Sequence, residues 1–329
     1  MKKTRFYPFL WMLLTVLVFS GSMPAGGEEK TPDSNSLPAA GESRSALPSA
    51  NTEPNADWAG EDPNSDGGLF EEQAESRIPE FFDLCDQIFS TYVTKDGLVR
   101  YAALRRNRGE LLPVQRLLKE LNPLHLMALP QEEKTAFWIN VYNLCTLQLI
   151  IDNYPIQPKW YMFRYPTSSI MQISNPWTKH YFWIQGLQYN LEEIEKEFLL
   201  RRTRDPRICF VLSYASLGGG RQRNEAYRGS KLEQQLDEQV RKYLQSPYGY
   251  RLDREEKVVY LSVLFQTKHE TFLDSDYAAI RKFRDYSDLQ RAWLNFLSCY
   301  ISPEEVQFLE TTLVTFKMIT YNWQLDEAP

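Results

Sequence analysis

Imidazole and thiol chemistry is scarce in this chain: its 329 residues hold three histidines, His125, His180 and His269, and four cysteines, Cys85, Cys145, Cys209 and Cys299. A hydrolytic nucleophile needs a thiol or hydroxyl activated by a neighbouring base, often an imidazole. The stretch 213–227, "SYASLGGGRQRNEAY", follows an apolar run, Arg207 to Leu212, that reads as a buried strand. Loops in such places often display catalytic groups. This one offers the hydroxyls of Ser213 and Ser216 but neither thiol nor imidazole. Gly218, Gly219 and Gly220 then lead into Arg221 and Arg223. Two readings stand for that run. It is an anion nest, in which backbone N–H groups and the arginines hold a carboxylate or phosphate, or it is a flexible loop. Its spacing is not that of a P-loop. The cysteines form no CxxC or other metal-type pair, so neither a metal nor a cofactor is expected.

The hydrophobic pattern shows which elements must position these groups. Helical spacing runs over Pro79–Tyr92 and again over Leu104–Leu121, where Pro113 marks a break or a restart. The segment Gln131–Tyr154 is apolar on nearly every side, opens on acidic residues and is stopped by Pro155, which makes it a central helix. Asn140 and Asn143 lie three apart on one of its faces. Buried amides need partners, so the pair either pins neighbouring loops or lines a site. Gln185-Gly186 reads as the turn of a β-hairpin. Asn190 with Glu193 reads as a capping box for a helix to about Leu200, and Ser230 with Glu233 as another helix start. Strands are expected at Tyr250–Leu252 and Lys257–Phe265, and helices over Tyr277–Ile301 and Glu304–Phe316.

At the N-terminus, Lys2, Lys3 and Arg5 precede an apolar stretch from Pro8 to Phe19 and then small residues to Ala25. That is the pattern of a secretory signal over residues 1–25, too short for a membrane span, although an uncleaved anchor is the alternative. Residues 26–75 are rich in Glu, Asp, Ser, Pro and Gly and read as a disordered acidic linker. The linker carries a net charge of −10 and the first 25 residues +3, so the whole-chain −6 leaves about +1 for residues 76–329. A near-neutral folded part argues against nucleic acid as a partner. An exported chain permits disulfides, and the four cysteines read either as cross-links or as buried thiols.

The segments "AFWINVYNLCTLQLIIDNYP", "LEEIE", "DPRICFVLSYAS", "NEAYRG", "LEQQLDEQVRKYL", "VYLSVLF" and "YNWQLD" occur in an order and spacing that resembles the bacterial family catalogued as domain of unknown function 547. The resemblance runs from about Asp96 to Asp326. It implies an α+β fold similar to papain-like thiol hydrolases, a mixed helix and antiparallel sheet domain with helix-rich N- and C-terminal parts. Members of that family usually read Ile-Glu-His where this chain has Ile194-Glu195-Lys196. They usually read Asn-Cys-Ala-Ser-x-Ser-Cys-Pro where this chain has Ser213 to Gly220. The resemblance therefore puts the nucleophilic cysteine at Gly219 and the histidine base at Lys196. A further signature, Phe-Asp-Trp-Tyr, stands here as Phe265-Gln-Thr-Lys268.

Glycine supplies no nucleophile, and lysine, with an ordinary pKa of about 10.4, is a poor base near neutrality. The resulting expectation is an exported, non-catalytic module that binds a peptide or other extended ligand. Its candidate binding residues are Asn140, Asn143, Glu195, Ser213, Ser216, Arg221 and Arg223. One alternative is an active hydrolase with a relocated nucleophile, a serine or cysteine beside His180. The other is an envelope module that binds carbohydrate or protein through Trp160, Tyr161, Trp177 or Trp183, provided those rings are exposed and not core.

Overall fold

Helix α5, Gln131–Asn153, is the axis on which the rest assembles. The structure, a computed structural model, describes residues 76–329, so the signal-like and acidic segments lie outside the described residues. Glu132 and Glu133 occupy the first turn of α5, favourable against its dipole, and an unbroken buried run from Thr135 to Leu147 covers every face. Helix α1, Ile78–Tyr92, carries Pro79 in its first turn and buries Phe81, Phe82, Cys85, Ile88 and Phe89. Phe81 meets Phe137 of α5 with ring centroids 4.9 Å apart. Helices α2 (Tyr101–Arg106), α3 (Leu111–Glu120) and α4 (Pro123–Met127) follow. The single helix expected over 104–121 is thus divided by a 3-10 turn at Arg108–Glu110. Pro113 falls in the first turn of α3, where a missing N–H leaves no intrahelical bond unmade.

Strands β1 (Phe182–Ile184) and β2 (Leu187–Tyr189) form the expected hairpin. Its two turn residues, Gln185 and Gly186, have φ of +53° and +77°, as a type I′ turn requires. The reciprocal capping box of Asn190 and Glu193 opens α6 (Leu191–Glu193), which continues as a π-helical stretch, Ile194–Leu200, and then α7 (Arg201–Thr203).

The run 207–212 is not a strand. It forms a short helix, α8, Ile208–Val211. Asp205 Oδ1 accepts from the Arg207 N–H at 2.9 Å, Pro206 supplies a helix-compatible φ, and Ile208, Cys209 and Phe210 bond back three residues. A short, fully buried apolar run has no periodicity to separate strand from helix, and the Asp-Pro start decides it. Helix α9, Leu232–Leu244, opens after a 3-10 turn at Gly229–Lys231, so Ser230 is not its cap.

Strands β3 (Tyr250–Asp253) and β4 (Val258–Ser262) pair antiparallel, and β5 (Thr315–Ile319) pairs parallel to β4 on its other side. The sheet is therefore mixed, where an antiparallel one was expected. The expected strand to Phe265 ends at Ser262, whose Oγ accepts from Leu264 N–H and starts α10 (Val263–Thr267). Helices α11 (His269–Leu273), α12 (Asp276–Ala279), α13 (Asp288–Leu297) and α14 (Pro303–Thr311) follow. The tail therefore departs from the expected pair of long helices: 280–287 interrupts the first, and the second stops at Thr311, before β5. The α+β class stands. Phe210, Phe265, Phe272 and Phe296 pack ring to ring where α8, α10, α11 and α13 meet. Among the described residues no helix is long and apolar enough to cross a membrane.

Candidate functional site

The glycine loop is a packed junction between α8 and the C-terminal segment. All three glycines are buried. Gly220 lies so close to the preceding helix that a Cβ there would sit 2.4 Å from the Leu212 carbonyl oxygen and 2.7 Å from that of Phe210. A Cβ on Gly218 would lie 2.6 Å from the Asn322 nitrogen. The loop N–H groups of Leu217 and Gly218 donate to the carbonyls of Gln324 and Asn322, and Tyr243 Oη donates to the Gly218 carbonyl at 2.8 Å. The flexible-loop reading is overturned, because close backbone approach is what demands glycine here.

Position 219 faces Tyr321. A Cβ on Gly219 would sit 2.6 Å from Tyr321 Oη, 3.0 Å from Tyr214 Cβ and 3.1 Å from Ser216 Oγ. Ser216 Oγ and Tyr321 Oη share a hydrogen bond of 2.7 Å. The space for a side chain at 219 is already filled. The segment bearing Tyr321 is laced down further: Leu325 N–H donates to Ser168, Val99 N–H to the Asp326 carbonyl, and Tyr101 Oη to Asp326 Oδ1 at 2.8 Å. Burial pushes the Asp326 carboxyl up to about 6 despite the Tyr101 hydrogen bond.

Asn140 and Asn143 prove to be pins. The Asn140 amide donates to the Tyr227 carbonyl at 2.8 Å and accepts from its N–H at 2.9 Å. Asn143 does the same across the glycine loop's entry, donating to Val211 O at 3.2 Å and accepting from Ser213 N–H at 2.8 Å. Ser213 is itself buried, and its Oγ accepts from Ala215 N–H. Both amides are thus committed to backbone.

Glu195 and Lys196, adjacent on the π-helical stretch, have opposite fates. Lys196 is half-exposed and bonds Glu192 Oε1 at 2.8 Å, one turn away. Glu195 is buried and its Oε1 accepts from both Tyr214 Oη at 2.6 Å and Lys268 Nζ at 2.5 Å. Burial works to lower the Lys268 pKa, but the Glu195 charge and hydrogen bond outweigh it and hold the ammonium above its ordinary value. Burial pushes the nearby Cys209 thiol up to about 12, with Lys268 opposing only in part. Lys268 and Tyr214 were not among the expected site residues. The signal available for Lys268 was its place in Phe265-Gln-Thr-Lys268, where the resembled family carries an aromatic.

Residues 126–244 match the family model described as "Protein of unknown function, DUF547". The match takes in α5, the hairpin, the π-helical stretch, the glycine loop and α9, and supports that family over those elements; the C-terminal segment that packs on the glycine loop lies outside it. No curated protein and no solved structure matches the chain.

Within and around the matched residues 126–244 the other chemistry-bearing groups lie apart. Arg223 is committed to Glu225 and Glu238, at 2.5 and 3.0 Å, which leaves the anion-nest reading without one of its cations. Arg221 forms no ion pair among the described residues. His180 Nε2 lies 3.3 Å from the Ser174 carbonyl and His269 Nδ1 3.1 Å from that of Gln266. Among the described residues no histidine ring bonds a cysteine or serine side chain. All four cysteines are free; Cys85, Cys145 and Cys209 are buried, whereas Cys299 is exposed and not a core thiol. Burial also raises the Cys85 and Cys145 thiols. No group of three His, Cys, Asp or Glu among the described residues is placed to hold a metal ion. Of the four aromatics singled out, Trp160, Tyr161 and Trp183 are exposed, whereas Trp177 is buried. An open cleft of about 430 Å³ lies elsewhere, between α3, α5 and β1, with Arg116 and Lys119 at its rim and Leu144, Cys145 and Phe182 on its floor.

Proposed function

We propose that this chain is an exported, non-catalytic member of a thiol-hydrolase-like family, retaining the scaffold as a binding module for a peptide or other extended ligand. The observation that carries the reading is the Tyr321 hydroxyl in the space a side chain at position 219 would need. Three further facts support it. Lys196 is turned to Glu192, the buried thiols are held protonated, and no imidazole bonds a hydroxyl or thiol among the described residues. With the junction packed by the C-terminal segment, the open cleft of about 430 Å³ between α3, α5 and β1 is a candidate surface for such a ligand.

The relocated-nucleophile alternative needs a hydroxyl or thiol within hydrogen-bond reach of a base, and the histidine contacts do not favour it. The test is an assay of the purified chain on peptide and amide substrates, with and without prior thiol alkylation. Turnover at the background rate in both arms is the expected result. Thiol-dependent turnover would overturn the reading.

A further inference from the structure

One turn of the loop between α5 and β1 presents aromatic rings outward, although Ile170, Ile173 and Trp177 farther along the loop are buried. Trp160 is 89% exposed, Phe163 79% and Tyr161 51%, all within one 3-10 turn and the residue after it. Contiguous exposed aromatics on a folded chain mark an interaction surface. The loop is built to hold them there. Buried Gln172 accepts from Lys159 N–H at 2.8 Å, and its amide lies 3.1–3.4 Å from the carbonyls of Met162, Tyr165 and Pro166. One buried side chain therefore ties together the backbone at both ends of the turn, so little backbone ordering remains to be done when the rings engage a partner.

The charge pattern selects the partner. From Tyr154 to Leu191 the sequence contains no Asp or Glu, and Lys159 and Arg164 flank the three rings directly. Among the described residues the Lys159 ammonium bonds the neutral Ser174 hydroxyl, at 2.7 Å, and no carboxylate. Trp, Tyr and Phe between cations suit the boundary between lipid headgroups and acyl chains, where rings bury and Lys or Arg meet anionic phosphates. A saccharide platform would set carboxylates or amides beside the rings to bond sugar hydroxyls, and Trp160-Tyr-Met-Phe-Arg-Tyr165 supplies none.

We propose that the loop Lys159–Tyr165 is a membrane-interface anchor that seats in the headgroup region of an anionic phospholipid bilayer. This stands whether or not the chain has any hydrolytic activity. The test uses the full chain and vesicles of phosphatidylcholine with or without phosphatidylglycerol, some carrying brominated acyl chains. The readout is the bromine quenching of the wild type minus that of Trp160→Phe, which reports the loop whatever the rest of the chain contributes to lipid binding. The expected result is a quenched Trp160 component on phosphatidylglycerol vesicles. Partition should weaken by roughly tenfold or more in Lys159→Gln/Arg164→Gln, from about 1 kcal/mol per cation near an anionic surface. Trp160→Ala/Phe163→Ala should weaken it as well. An absence of vesicle binding, equal binding without phosphatidylglycerol, or zero quenching difference in the vesicle-bound protein would each overturn the proposal. So would loop variants that lose a soluble saccharide or protein ligand while binding vesicles unchanged.

Discussion

Lys268→Met is expected to cost about 3–5 kcal/mol of stability, the usual penalty for stripping one partner from a buried ion pair. Glu195 is buried and accepts from Lys268 and Tyr214 on a single oxygen. Without the ammonium, the carboxylate keeps one neutral donor in a low-dielectric setting. The double variant Glu195→Gln/Lys268→Met is expected to recover most of the loss, since removing both charges of a buried pair is often neutral or better. Denaturant unfolding of the wild type, both single variants and the double gives the coupling. In the wild type the Lys268 pKa is raised above 10.5, so its stabilisation is present in full below that pH and fades as pH climbs through the folded value. Equal stability of Lys268→Met and wild type at neutral pH would contradict the pairing.

The glycine triplet carries the second large effect. Gly220→Ala is expected to destabilise by about 3 kcal/mol or more, at the upper end of overpacking costs, because the new methyl meets two backbone carbonyls that cannot swing aside. Gly219→Ala is expected to cost less, about 1–3 kcal/mol, because its nearest obstacle is a side-chain hydroxyl. Combining Gly219→Ala with Tyr321→Phe should be less damaging than the sum of the two, since removing the hydroxyl opens the space the methyl needs. A flexible loop would tolerate all of these changes within a few tenths of a kcal/mol.

Local chemistry was the part of this fold that the sequence made legible. The Gln185-Gly186 turn and the Asn190–Glu193 capping box depend on residues within four positions of one another, and both formed as expected. The central helix was legible because an all-round apolar pattern of that length has few other uses, and the two asparagines on it were legible as pins because buried amides must be satisfied. Distant partners hid the rest. Thr315–Ile319 became a strand only because β4 offers it an edge, more than fifty residues earlier in the chain. The close approach at Gly219 depends on Tyr321, 105 residues beyond Ser216, and nothing near position 219 announces it. Lys268 and Glu195 likewise meet across 73 residues. The misread run 207–212 differs in kind: its Asp205-Pro206 helix start was present locally but outweighed by the apolar residues that follow.

The proposed non-catalytic reading requires that none of the four cysteines be an activated thiol. Alkylation of the native chain with iodoacetamide across pH 5 to 8, followed by peptide mapping, tests it most directly, because alkylation rate tracks thiolate fraction and access. The prediction is that exposed Cys299 labels in the native chain, while buried Cys85, Cys145 and Cys209 stay unmodified until the chain is unfolded. Labelling of Cys145 or Cys209 in the native chain at the acid end of that range would reveal a low-pKa nucleophile and contradict the account.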